Sequence, residues 1–336
     1  MTTAMARETF EIPDAAERLL ADAGPFAAAA AALARHPAPF AVICGRGSSG
    51  HAGVYLRYLI ETRLGIVVSH TAPSVVTNYR KSSAMRGALF VVISQSGRSP
   101  DLVAATEAAR ESGALTLALV NVTASPVAEA AQLVVPLHAG PELAVAATKS
   151  VVSSMLAGAR LVAEIAGDAE LSGALVRSPE RLRAALALDW QGWREALPQA
   201  RAAFVAARGY GFGPAREIAL KLSETLRLPA LGYSAAELRH GPRAAIDRDT
   251  PVLALRQHDA TAETVDGLVD DLRAAGESVF LAGGERSALP WIGDDHPACD
   301  PVAMLVPAYL AIERAARAMG LDPDSPPFLK KVTETL

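Results

Sequence analysis

The chain has 336 residues, 51% of them hydrophobic and 20% charged, a balance that excludes a disordered tail or a membrane protein and leaves room for two domains with cores of their own. Thirty-two Lys and Arg stand against 36 Asp and Glu, a formal net charge of −4, so no long-range attraction draws nucleic acid or a membrane surface and neither is expected as a partner. Cys44 and Cys299 are the only cysteines, which excludes a disulfide scaffold and a four-cysteine zinc site and suits a cytoplasmic location.

Residues 1–30 read as a leading helical segment. Glu8, Glu11, Asp14 and Glu17 interrupt it, so it is not expected to be a signal peptide. From residue 31 short β-branched runs alternate with helical spacing. Phe40 to Cys44, Ile66 to Ser69, Leu89 to Ser94, Leu115 to Val120 and Leu133 to Val135 read as strands buried on both faces, the mark of a parallel sheet. Val54 to Thr62 and Leu102 to Glu111 have the helical period expected of crossover connections.

The second half repeats the first. Arg46-Gly47 and Arg208-Gly209 lie 162 residues apart, as do Ser94 and Arg256, and one ungapped offset covers about fifty residues. Two fused copies of one α/β domain are expected, the first over 31–185 and the second over 195–336, with the boundary near Arg177 to Ala200.

Two loops after strands carry donors. Ser94-Gln95-Ser96-Gly97-Arg98-Ser99-Pro100-Asp101 follows a buried strand and opens a helix, and hydroxyls beside the unpaired N–H groups of a helix start suit a phosphate. Helix capping accounts for Ser99 and Pro100 but leaves Ser94, Gln95 and Ser96 unexplained. Cys44-Gly45-Arg46-Gly47-Ser48-Ser49-Gly50 formally matches a dinucleotide fingerprint. The stretch Ile66 to Lys81 lacks the acidic residue that would hold a ribose, so the loop reads better as the wall of a phosphosugar pocket.

Comparing the copies separates two tasks. Copy two has Arg256-Gln257-His258-Asp259 in place of Ser94-Gln95-Ser96-Gly97, so phosphate binding belongs to the first half. Copy two has Glu217, Lys221 and Glu224 in place of Tyr55, Leu59 and Thr62, and the i, i+4, i+7 spacing sets all three on one helix face, giving the second half its acid/base capacity. A solvated salt-bridging face is the plainer alternative. Glu237 and His240 precede Gly241-Pro242, where spacing alone favours a helix C-terminal cap, and Lys330-Lys331-Val332-Thr333 reads by itself as a solvated tail.

Together, Cys44-Gly45-Arg46-Gly47-Ser48-Ser49, Ser94-Gln95-Ser96-Gly97, Ala147-Thr148-Lys149, Lys221-Leu222-Ser223-Glu224, Glu237 to Pro242 and Lys331-Val332-Thr333 resemble the sugar isomerase (SIS) domain family. The resemblance is to the isomerase half of glucosamine-6-phosphate synthase and to stand-alone type II glucosamine-6-phosphate deaminases. It implies two tandem SIS domains, each a flavodoxin-like five-stranded parallel sheet flanked by helices, in a homodimer that needs no metal or cofactor. It implies that Ser48, Ser49, Ser94, Gln95, Ser96 and Ser99 hold a sugar 6-phosphate, with Gly47, Val145 and Glu217 lining the substrate. Glu224 would carry the proton between C1 and C2 beside Lys221, His240 from the neighbouring subunit would open the ring, and Lys331, or Lys330 one place earlier, would meet the carbonyl.

The synthase begins with a glutaminase domain whose nucleophile is a cysteine. This chain has no cysteine before Cys44, so deamination of glucosamine 6-phosphate is expected rather than glutamine-dependent amination. A fructosamine-6-phosphate deglycase and a galactosamine-6-phosphate deaminase or isomerase are the alternatives among enzymes; a phosphosugar-sensing module is the alternative outside them.

Overall fold

The computed structural model describes residues 2–331, so Val332 and Thr333 of the C-terminal motif lie outside the described residues. In chain order the helices are α1 (Ala4–Phe10), α2 (Ile12–Ala21), α3 (Gly24–Arg35), α4 (Gly47–Leu64), α5 (Ser74–Thr77), α6 (Pro100–Glu111), α7 (Pro126–Ala130), α8 (Lys149–Ala166), α9 (Ala169–Ala185), α10 (Gln191–Ala196), α11 (Phe212–Leu226), α12 (Ala235–Leu238), α13 (Ala262–Ala274) and α14 (Asp300–Ala318). The strands are β1 (Phe40–Cys44), β2 (Val67–His70), β3 (Leu89–Ser94), β4 (Leu115–Val120), β5 (Leu133–Pro136), β6 (Ala203–Ala207), β7 (Ala230–Ser234), β8 (Val252–Leu255) and β9 (Val279–Ala282).

The residues pack as two units. One holds Asp14–Pro141 and Lys149–Val176; the other holds the residues up to Pro13, the segment Glu142–Thr148, and Arg177–Lys331. In the first unit a parallel sheet runs β2-β1-β3-β4-β5. Its central strand Leu-Phe-Val-Val-Ile-Ser is buried at every position, because helices cover both faces of such a sheet. Val42, Phe90, Val92, Ala118 and Val120 pack against Leu102, Ala105 and Ala109 of α6. The edge departs from the expectation of strands buried on both faces: in β2, only Val68 is buried, because β2 pairs with β1 alone and its other side has no neighbour in the sheet.

The second unit repeats this order as β7-β6-β8-β9, with Phe204, Ala206, Val252, Ala254 and Leu281 packed against Val265, Leu268 and Leu272 of α13. The repeat reaches backbone angles. Arg46 and Arg208 precede their helices at φ −129°, ψ 158° and φ −145°, ψ 156°, and the glycines that follow take positive φ, +52° at Gly47 and +63° at Gly209.

The five strands expected of each copy are five in the first and four in the second, among the described residues. The offset that aligns β3 with β8 sets Asp295-His296-Pro297-Ala298 where β5 has Leu133-Val134-Val135-Pro136. The second tetrapeptide does not extend a sheet. The Asp295 N–H is taken by the Asp300 carboxylate and its side chain pairs with Arg177, so those groups serve the entry to α14 instead.

Candidate functional site

In the first unit the adjacent strands β1 and β3 end beside each other, so their loops and the starts of α4 and α6 share one end of the sheet. This is the usual ligand end of a parallel α/β sheet. Ser48 and Ser49 lie half-buried in the first turn of α4. The Ser94 Oγ accepts the Gly97 N–H at 3.0 Å and the Ser96 Oγ accepts the Arg98 N–H at 3.3 Å, which curls the loop over the start of α6. Ser99 occupies the N-cap position of α6 yet makes no side-chain capping bond, so capping does not consume its hydroxyl. Gln95 is half-buried in the same loop.

Gly97 is required by two observations: its φ is +65°, and a Cβ there would stand 2.1 Å from the Ser125 Oγ. At the end of β1, burial and then the nearby Asp101 push the Cys44 thiol up to about 12, so it stays protonated and is no nucleophile.

The second unit holds the titratable groups. On α11, Lys221 Nζ lies 3.3 Å from Glu217 and 2.5 Å from Glu224; Lys221 and Glu217 are fully buried, and the Glu224 side chain keeps 22% of its surface. Burial pulls the Lys221 pKa down, but Glu217 and Glu224 outweigh it and hold the amine above its ordinary value. The i, i+4, i+7 face therefore looks inward, in place of the solvated face that charge spacing alone favours. In copy two the α13 start is occupied by its own carboxylate: Asp259 Oδ1 accepts Thr261 N–H at 2.8 Å, and buried Gln257 donates to the Arg208 carbonyl at 2.6 Å.

Sequence reasoning passed over two residues of this unit. Glu142 is buried and holds both ends of a segment, accepting the Thr148 N–H at 3.0 Å through Oε1 and Lys331 Nζ at 3.0 Å through Oε2. Tyr309 of α14, which packs on α11, is fully buried with no hydrogen-bond partner for its hydroxyl among the described residues. Burial, then the charges of Glu217, Glu142 and Glu224, push its phenol well above the ordinary value. An acidic residue five positions before the Ala-Thr-Lys run was a legible signal for Glu142; a tyrosine in an apolar helix gives none.

Lys331 also donates to the Ala144 carbonyl at 2.6 Å, whereas Lys330 is exposed, so it is Lys331 that engages the 142–148 segment. Val145, half-buried in that segment, donates its N–H to the Asp324 carbonyl at 3.1 Å. His240 lies exposed on the turn after α12, its N–H donated to the Glu237 carbonyl and its own carbonyl accepting from Arg243. It is not part of the α11 cluster. The structure thus gathers Glu217, Lys221, Glu224, Val145 and Lys331 in one unit, and the serines and Gly47 in the other.

Comparison with known proteins gives this architecture relatives. The chain is 37% identical over 303 residues to the glutamine–fructose-6-phosphate aminotransferase (isomerizing) of Methanothermobacter thermautotrophicus and 32% identical over 306 residues to that of Zymomonas mobilis, matching 85% of itself in both. It spans about half the length of these relatives, 50% of each. A solved structure from Silicibacter pomeroyi DSS-3, provisionally assigned as a phosphosugar isomerase, superposes with TM-score 0.92 at 39% identity, covering 96% of this chain and all of that one. The glucosamine-6-phosphate deaminase of Thermotoga maritima shares the fold, with TM-score 0.81 at 22% identity over 99% of this chain. No helix among the described residues is long and apolar enough to cross a membrane, and the chain is related to phosphosugar isomerases. With the SIS domain matched over residues 37–163 and 196–282, the chain belongs to the SIS domain family.

Proposed function

We propose that this protein is a cytoplasmic aldose–ketose isomerase of amino-sugar 6-phosphates that converts glucosamine 6-phosphate to fructose 6-phosphate and ammonia. The observation that carries the reading is the α11 cluster: a partly exposed carboxylate, Glu224, is held against a buried ammonium, Lys221, which is itself fixed by Glu217. A proton carrier needs contact with the substrate, and the cation that steadies a developing oxyanion needs a rigid, water-poor setting. Glu224, partly exposed, is open to the first, and the buried Lys221 suits the second.

In the open-chain sugar, Glu224 takes the proton from C2, the electron pair forms the C1–C2 double bond, and charge moves onto the C1 oxygen. The C1 oxygen takes up a proton, and the proton on Glu224 returns to C1 as the nitrogen lone pair forms the C2–N double bond and an N–H proton is lost, which leaves a C2 imine. Water adds to that carbon, and ammonia departs to give the ketone. Ser48, Ser49, Ser94, Gln95, Ser96 and Ser99 hold the 6-phosphate in this scheme, with Gly47 and Val145 against the sugar. Lys331, set by Glu142, meets the carbonyl. His240 serves ring opening from the neighbouring protomer of a homodimer; its exposed position on a surface turn leaves the ring available to a second chain. No metal or cofactor enters the scheme.

The test is incubation of the purified protein with glucosamine 6-phosphate while ammonium and fructose 6-phosphate are followed together. Equal release of both is expected. Turnover only of a fructosamine or galactosamine phosphate would move the substrate assignment to the alternative sugar, and binding without turnover of any of the three would make the protein a sensor.

A further inference from the structure

Serine hydroxyls and backbone N–H groups are neutral donors, whereas a phosphate monoester is close to a dianion at neutral pH. The loop region also holds a charge of the wrong sign. Asp101 is the second residue of α6, next to Ser99 and Pro100, with 7% of its side chain exposed, and its Oδ1 accepts the Leu102 N–H at 3.0 Å. An ester held at the start of α6 would meet this carboxylate unless a cation balanced it.

Arg46 supplies that cation. It stands at the N-cap position of α4, directly before Gly47, Ser48 and Ser49, and its Nε lies 3.2 Å from the Asp101 Oδ2. The pairing joins the two donor loops through charge. The contact is made by Nε, the side chain keeps 36% of its surface, and a guanidinium carries further N–H donors on its two Nη atoms. A second feature lies beside the loop: the Ser125 hydroxyl, at the N-cap position of α7, 1% exposed and against Gly97, has no partner among the described residues.

We propose that Arg46 is the ester-reading cation of the first unit: anchored on Asp101, it neutralises that carboxylate and offers its Nη donors to a doubly charged phosphate monoester at the serine loops, so that phosphorylated sugars are taken and unphosphorylated ones refused. The proposal rests on the reading of the serines as ester binders. It does not depend on which sugar is turned over.

The test measures binding of inorganic phosphate, fructose 6-phosphate and fructose to the full chain by calorimetry, at two salt concentrations. Loss of a charged hydrogen bond predicts that R46M binds both phosphates about tenfold to a hundredfold more weakly with a flatter salt dependence, and that R46K falls between. R57M, which removes an arginine paired with Glu61 elsewhere on α4, is expected to bind as the wild type does.

If R46M alone does not fold, because Asp101 is left buried without a counter-charge, the double variant R46M/D101N serves, and a smaller weakening of at least about fivefold, that of the lost guanidinium donors alone, is expected of it. Phosphate affinity within twofold of wild type in R46M or in the double variant overturns the proposal, as does an equal loss in R57M. A wild type that binds phosphate through Arg46 yet releases no ammonia from glucosamine 6-phosphate defeats the catalytic reading and leaves this one standing. A wild type that binds neither phosphate nor fructose 6-phosphate defeats both.

Discussion

Lys221→Met removes a cation from a place where the structure shows what it balances. Lys221 and Glu217 are both fully buried at 3.3 Å, so at an effective dielectric of about 20 their attraction is about 5 kcal/mol, and Glu224 adds to it. Removing both charges from water opposes this, and the net worth of the pair against apolar residues of the same size is near zero. Deleting one partner is a different matter, because Glu217 then stays buried without the ammonium it meets at 3.3 Å. The expected loss is about 3–5 kcal/mol of unfolding free energy. Adding Glu217→Gln, which removes the buried charge, is expected to return most of it, since the Glu224 side chain reaches water. Urea unfolding followed by far-UV circular dichroism at fixed pH reads the three midpoints, with equal slopes confirming that only stability has changed. A K221M protein within about 1 kcal/mol of wild type, or a double variant no more stable than K221M, would refute the inference that a buried charge pair organises α11.

Four other outcomes follow. Glu224→Gln is expected to lower deuterium exchange at C2, read by NMR, by about 10²–10⁴-fold while ester affinity stays unchanged; persistent exchange would place the base elsewhere. Gly97→Ala should cost about 1–2 kcal/mol from the positive φ alone and more from the Ser125 contact, with loss of phosphate binding in parallel; calorimetry showing neither change would contradict the packing at that turn. Glu142→Gln removes the charge that holds Lys331 and is expected to lower kcat more than it raises KM, whereas a change in KM alone would give Glu142 a binding role. Burial raises the Asp300 carboxyl from 3.8 to about 6, so the folded state favours the proton. Its contribution is full below the unfolded value and lost as pH climbs through about 6, so relative to Asp300→Asn the wild type should lose about 2 kcal/mol between pH 4 and pH 7 in paired denaturation curves. A difference independent of pH would show that the carboxyl stays charged throughout.

Much of the fold is written in local pattern. The β-branched runs at Phe40–Cys44, Leu89–Ser94 and Leu115–Val120 form strands at those limits, because a strand buried on both faces needs consecutive apolar residues and its ends are set by the glycines and serines beside it. The 162-residue offset carries through to paired helix starts at Pro100 and Ala262 and to matched angles at Arg46 and Arg208. These follow from neighbours along the chain. The edges were less legible: β2 shifts by one residue and is mostly exposed, and no strand answers to β5 in the second copy, since a sheet edge is held by one partner only and a few polar residues suffice to end it.

The spacing of Glu217, Lys221 and Glu224 determined that they share a helix face; only packing against α14 decided that the face is buried, which turns a solvated stripe into a charged core. The segment Glu142–Thr148 lies in the first repeat by sequence, yet it packs with the second unit and receives Lys331 from 189 residues away. No periodicity encodes such a pairing. Helix and strand propensities act over a few residues, whereas a buried ion pair forms where the whole path of the chain happens to return, and its energy depends on how much water that return excludes.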